Sequence, residues 1–333
     1  MSKKEIVSLI ILVLVIGYGA YKYITREYSD TQSRYLLDAI VEISGSSANK
    51  NLSARIASIF ELIAEFEKNY NEFAEDSYIS RINNSDEEEF DMQPELYDML
   101  VIADSLYKLT DGAFDITIKP VWELWDFQSE NPELPDAKLI QEKLQFVGFD
   151  KLKYDQEKLY KPKGMQLSLG AIAKGYIFEK AQKQMQDKGF TRGYVDSRSS
   201  ITLFGDKVPP IIYITHPRKP DATIAHFRLQ NLAVSTSGDY QQYFELEGKR
   251  FHHIIDAHTG YPVEAVYSVT FICDSPAWAD GLSTALFLMP PEQAMDYVAA
   301  DPNINCVIYY EVEGEIKSLK SAGMQALELK EEL

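Results

Sequence analysis

Cysteine is nearly absent: Cys273 and Cys306 are the only two in 333 residues. That excludes a disulfide scaffold, a CxxC motif and a Cys/His zinc site, which need more cysteines or another spacing. Both sit in apolar, strand-like runs (269–273 and 305–310), so both are expected to be buried thiols. Positive charge is also short, with 33 Lys and Arg against 51 Asp and Glu, a formal net charge of −18. A field of that sign repels phosphate backbones and argues against nucleic-acid binding. An anionic small ligand would then need local help from a metal ion or a helix N-terminus. No low-complexity linker or internal repeat follows residue 30, and no long apolar run follows residue 21, which excludes a polytopic membrane protein.

One such run does exist at the start. Lys3 and Lys4 precede an uncharged stretch, 6–21, and Lys22 and Arg26 follow it. As a helix it would be about 24 Å long, a little short of a bilayer core, with cationic ends able to snorkel. A cleavable signal peptide and an uncleaved anchor both fit. No clear small-x-small cleavage site follows and no cysteine stands ready for lipidation, which favours the anchor. Residues 1–30 are therefore read as a single-pass inner-membrane anchor with its linker, and residues 31–333 as one extracytoplasmic domain.

Periodicity predicts a first strand at 35–44 and helices at 50–70, Pro94–Leu109, 134–147, 170–188, 277–288 and Pro291–Ala299. The acidic stretch 86–91 reads as a solvated loop, 151–167 as short strands, and 306–311 as a closing strand. Helices and strands mix without regular βαβ alternation, so the class is α+β.

Five segments combine glycine, small hydroxyl residues and carboxylates beside apolar runs. In Thr110-Asp111-Gly112-Ala113-Phe114-Asp115-Ile116-Thr117 a tight turn leads into extended chain. Ser168-Leu169-Gly170-Ala171-Ile172-Ala173-Lys174-Gly175 places small residues and a lysine where a helix should open, suited to a phosphate, although the P-loop spacing is missing. Ser235-Thr236-Ser237-Gly238-Asp239 is rich in turn formers. His252-His253-Ile254-Ile255-Asp256-Ala257-His258-Thr259-Gly260-Tyr261-Pro262 gathers three of the five histidines, a candidate site of general-base chemistry. In Ala279-Asp280-Gly281-Leu282-Ser283-Thr284, Asp280 and Thr284 lie one helical turn apart and offer hard oxygen ligands suited to Mg²⁺. Each segment taken alone also has a plain structural reading as a turn, a cap or a polar helix face.

Together and in this order they resemble the ApbE family of FAD:protein FMN transferases over nearly all of residues 35–325. The resemblance implies an ApbE-like (T-fold-like) mixed α/β catalytic domain that binds FAD with Mg²⁺. It would transfer FMN to a Thr or Ser hydroxyl of an extracytoplasmic redox protein and release AMP. Carried over by position, Ala171, Asp280 and Thr284, with Ser283, would hold the metal. Phe73, Ala113, Phe114, Asp115, Ser168, Lys174 and Ile255 would contact FAD, with Phe73 stacking on the flavin and Ile255 in one strand with His253. His253 would be the catalytic base. Three departures stand out. Ser168 replaces a usual Asp, Arg198 and Ser199 stand where the family has two glycines, and Leu37-Asp38-Ala39 replaces a Met-Gly-Thr-like segment. An altered cradle also fits a second reading, a catalytically silent flavin- or partner-binding module at the membrane surface.

Overall fold

The computed structural model describes residues 2–205 and 208–332. Helix α1 (Lys3–Ile24) is longer than the apolar run, because a capping box starts it early: Ser2 Oγ accepts from Glu5 N–H while Glu5 accepts from Ser2 N–H. Its 18-residue apolar core is entirely unburied, so it is no core helix. Among the described residues it alone is long and apolar enough to cross a membrane.

The folded domain begins at Tyr28, inside the segment expected to be linker. Its centre is an eight-stranded sheet: β1 (Tyr28–Leu36), β2 (Ala39–Ser47), β3 (Arg192–Asp196), β4 (Ser200–Phe204), β5 (Ala233–Gly238), β6 (Val266–Cys273), β7 (Asn305–Val312) and β8 (Glu315–Lys320). Spatial order follows chain order, and every neighbouring pair is antiparallel. The sheet is thus a meander into whose connections other elements are inserted. The expected first strand at 35–44 is instead the tip of the β1–β2 hairpin, turned at Leu37 (φ 54°) and Asp38 (φ 55°). Two consecutive left-handed residues make the turn that matches strand twist, but neither is the usual Gly or Asn, which hides it in the sequence. The expected closing strand is likewise followed by β8.

Helices α2 (Leu52–Tyr70), α3 (Pro94–Leu109), α4 (Ala173–Asp187) and α5 (Pro276–Phe287) supply the apolar faces of the main core, which one face of the sheet meets with Ile43, Val195, Phe271 and Ile308. The other face, carrying Leu203, Val234, Ile272 and Tyr309, packs with Ile214 and Phe227 of a three-stranded sheet. Phe271 and Ile272 therefore enter different cores, as side-chain alternation demands. Burial on both faces explains why the central strands read as unbroken apolar runs. Both cysteines are buried and free.

The helix expected at 134–147 shortens to Ala137–Leu144, capped by Asp136. Within the acidic stretch, Glu89–Asp91 forms a strand paired with Lys158–Tyr160, and Lys158 bridges Glu89 and Asp91 at 2.9 Å each. The helix expected from residue 170 begins only at Ala173, because residues 169–172 form a turn. It ends as expected at Gly189, whose φ of 76° favours glycine.

Gly175 lets α4 and α5 cross closely. A Cβ there would lie 2.2 Å from the Pro276 carbonyl oxygen and 2.5 Å from Asp280 Cβ. Gly175→Ala should therefore lower the unfolding free energy by about 1–3 kcal/mol, read from urea titration; an unchanged midpoint would show that the helices part freely.

Candidate functional site

Asp280 is where four elements meet. Ser275 caps α5 and Pro276 starts it, which sets Asp280 one turn in, 7% exposed and facing the sheet. Its Oδ2 accepts from Gly175 N–H (2.8 Å) at the start of α4. Its Oδ1 accepts from Ser200 Oγ on β4 and Ser235 Oγ on β5, each at 2.9 Å. Ser200 and Ser235 are direct cross-strand partners, so their hydroxyls converge. Two residues along the same strand face, Ser237 Oγ lies 2.8 Å from Ser283 Oγ and 2.9 Å from Thr284 Oγ1.

This donor set is all oxygen. A carboxylate has about four lone-pair sites, and Asp280 uses three of them in these bonds. The Gly175 N–H, which helical geometry would direct to the Ala171 carbonyl, goes to Asp280 instead, and no described backbone N–H donates to that carbonyl. Among the described residues there is no cluster of three His, Cys, Asp or Glu side chains. One carboxylate with hydroxyl and carbonyl oxygens suits a hard cation shared with substrate phosphates, the usual Mg²⁺ arrangement, better than a dedicated protein cage.

His253 stands nearby. It is half-buried, crowded by protein yet partly open. Its Nδ1 lies 3.3 Å from the Gln242 carbonyl, a contact that requires Nδ1 to carry the proton and leaves Nε2 bare. Burial, with His252 and Lys174 beside it, pushes its pKa down to about 4, so the ring is neutral at pH 7. The Trp122 indole donates to the His253 carbonyl (3.2 Å), and its ring centre is 6.1 Å from that of Phe73. Phe73 is exposed at a pocket also lined by Leu37, Asp38, Glu72, Gly170 and Lys174. Lys174 Nζ donates to Ser199 Oγ (3.1 Å). Lys174 thus joins the Phe73 pocket to the Asp280 group through its chain neighbour Gly175, and its charge reaches the His253 ring.

A larger cleft, ≈ 630 Å³, opens beyond His252, between Arg218, Asp239, Arg250 and Tyr267. Asp239, His252, Tyr261 and Pro262 of the candidate segments line it, but none of the residues expected to hold the metal, contact FAD or act as base does. Its arginines are already engaged: Arg218 forks onto Asp239, and Arg250 pairs with Glu245.

The ApbE family model matches residues 37–308. The chain belongs to the ApbE family. The FAD:protein FMN transferase of Haemophilus influenzae is 28% identical over 314 residues, 90% of this chain and 88% of its own. That of Vibrio cholerae is 30% identical over 270 residues, 78% and 80% of the two chains. Among solved structures, the ApbE protein of Thermotoga maritima superposes with a TM-score of 0.82 at 30% identity, covering 90% of this chain and 99% of its own. The Vibrio cholerae flavin transferase ApbE gives 0.80 at 25% identity, with 91% and 100% covered.

The departures from the ApbE pattern have visible consequences. Arg198 takes the backbone conformation that suits glycine (φ 71°), while its side chain points to solvent. Ser199, at the second altered position, has no positive φ and serves as the partner of Lys174. The altered 37–39 segment is the hairpin turn itself, and it still borders the pocket. Ser168 Oγ donates to Glu72 (3.0 Å).

Other expected residues lie deeper. Ala113, Phe114 and Asp115 are buried. The Asp115 carboxylate accepts from Thr117 N–H, Thr117 Oγ1 and Phe149 N–H, which organises its own loop. The Ala113 carbonyl accepts from Ala257 N–H (3.1 Å), tying the first segment to the histidine segment. The expected single strand through His253 and Ile255 is broken: strands cover Lys249–His252 and Ile255–Asp256, and residues 253–254 fall between. Ile255 packs into an aromatic cluster with Trp125, Phe244 and Phe251. The first short strand pairs with Tyr243–Leu246 and the second with Tyr261–Pro262, so the chain bends at His253 between them. Glu72, Trp122, Ser200, Ser235 and Ser237 were not among the expected site residues. Only the last two carried a signal, since i and i+2 serines in a strand share a face.

Two tests follow. Replacing Arg198 by Gly relieves the left-handed strain and should raise stability by about 0.5–1 kcal/mol in thermal unfolding; a loss would mean that its side chain holds the loop. His252 is buried with Nε2 2.8 Å from the Val263 carbonyl, and burial pushes its pKa from 6.5 down to about 4. Between those values the unfolded chain binds more protons, so this ring's contribution to stability falls as pH drops. Relative to a His252→Gln variant, the protein should lose about 2 kcal/mol between pH 7 and pH 5, measured by urea unfolding at both.

Proposed function

We propose that this chain transfers FMN from FAD to a Thr or Ser hydroxyl of an extracytoplasmic redox protein, releasing AMP. The observation that carries the reading is the Asp280 oxygen group beside an Ala171 carbonyl to which no described backbone N–H donates, at the start of the helix that also lends Lys174 to the Phe73 pocket. The relatives named FAD:protein FMN transferase support it. So does the backbone at Arg198, which keeps a left-handed conformation although the glycine is gone.

In this reading Ala171, through its carbonyl, Asp280, Ser283 and Thr284 would hold Mg²⁺, which would offset pyrophosphate charge and supply electrostatic stabilisation during phosphate displacement. Phe73 stacks on the isoalloxazine ring, Lys174 places a cation near the phosphates, and Ser168 and residues 113–115 and 255 shape the surrounding walls. His253 Nε2 accepts the proton of the target hydroxyl as its oxygen bonds to the FMN phosphorus and the bond to the AMP oxygen breaks. A nearby diphosphate raises the proton affinity of that imidazole, since an anion favours its charged form. Helix α1 anchors the chain in the inner membrane, with residues beyond it outside the cytoplasm.

The test incubates the protein with FAD, Mg²⁺ and a Thr-bearing target domain and follows covalent flavin and AMP. Asp280→Ala should abolish transfer, and His253→Ala should slow it about 10²–10⁴-fold. FAD binding without covalent flavin or AMP would overturn the reading in favour of a silent flavin-binding module.

A further inference from the structure

Glu72 belongs to no segment that marked the family, yet it stands between two walls of the pocket. It directly precedes Phe73 and lines the pocket beside Lys174. Its Oε1 accepts from Ser168 Oγ (3.0 Å) and its Oε2 accepts from Leu169 N–H (3.3 Å), where the chain enters the turn before α4. Behind it Lys119 is 3% exposed. The Lys119 ammonium lies 2.9 Å from Glu123 Oε1 and 4.7 Å from the Phe73 ring centre. Although it touches Glu123, it makes no well-directed hydrogen bond.

Burying a carboxylate in this way is costly unless it is paired. Burial pushes the Glu72 pKa up, and the Lys119 charge together with the Ser168 and Leu169 donors opposes that rise. Two of the four lone-pair sites of the carboxylate are taken by the protein. The rest remain on a group that borders the pocket. Ser168, which here replaces an acid, brings no charge of its own, and a carboxyl group lies one hydrogen bond away at position 72.

We infer that Glu72 is a residue of the flavin pocket that clamps the Phe73 loop to the Ser168–Leu169 turn and presents the pocket's carboxylate to a hydroxyl or N–H donor of the bound dinucleotide. The inference rests on the function proposed above. It also implies that the acid and hydroxyl of this pair can be exchanged: a Glu72→Ser, Ser168→Asp double variant returns one carboxyl group and one hydroxyl to the same pocket wall.

The experiment measures FAD affinity by flavin fluorescence and, without FAD, the thermal midpoint. The proteins are the wild type, Glu72→Gln, Glu72→Ser, Ser168→Asp and the double variant. Wild-type FAD binding must be present, and its absence would overturn the proposed function itself. Given binding, Glu72→Gln and Glu72→Ser should each raise the FAD Kd at least tenfold with little change in midpoint. Ser168→Asp should also weaken binding, because two acids then face each other. The double variant should return to within a few-fold of wild type. Affinities unchanged in the Glu72 variants, or a double variant no better than Glu72→Ser, would overturn the assignment. If the Glu72 variants fail to fold, Ser168→Asp and the double variant decide: unchanged affinity in the first, or none regained in the second, rejects it.

Discussion

A buried carboxylate must find donors or cost several kcal/mol, and Asp280 finds three. They come from the start of α4, from β4 and from β5, while the acid itself rides on α5. One side chain therefore locks together the helix that presents Lys174, the loop carrying Ser199 and the strand carrying Ser237. The close crossing at Gly175 serves the same end, because only a residue without Cβ lets the backbone N–H reach the acid. This bond also diverts the N–H that would otherwise occupy the Ala171 carbonyl. This polar junction and the proposed cation site are thus one arrangement, and a substrate phosphate can complete it.

The overall charge of −18 makes this local organisation necessary. Far from any compensating group, the molecule's field opposes a diphosphate. Lys174 is held toward the site by Ser199, and a divalent ion would supply the larger share of positive charge. His253 fits the same logic. Its neutral ring adds no positive charge of its own at rest and keeps an unprotonated nitrogen available. On the far side Phe73, Trp122 and the buried Lys119 form an aromatic-cationic wall that gives a planar ring a surface to stack on.

Legibility in the sequence depended on how local the cause was. Pro94–Leu109 and Pro291–Ala299 carry proline in the first turn and a regular apolar face, and both helices match the sequence reading residue for residue. The β1–β2 hairpin was hidden because Leu37 and Asp38 adopt left-handed conformations without glycine, so no turn signal was present. The strand expected through His253 and Ile255 failed for a different reason. Separate pairing partners for Lys249–His252 and Ile255–Asp256 break the strand there, and no local propensity reports that.

By itself the sequence determined the family, the N-terminal apolar helix, the burial of both cysteines and the identities of Phe73, Lys174, His253, Asp280 and Thr284 as candidates. Those follow from residue type and from ordered motifs that resemble the ApbE family, which sequence carries directly. Tertiary structure decided which hydroxyls face Asp280, that Arg198 takes over a left-handed backbone position, and that Ser168 donates to Glu72. The contacts of Asp280 and of Glu72 join positions tens of residues apart, and such pairings arise only when sheet register and helix crossing bring the side chains within hydrogen-bond distance.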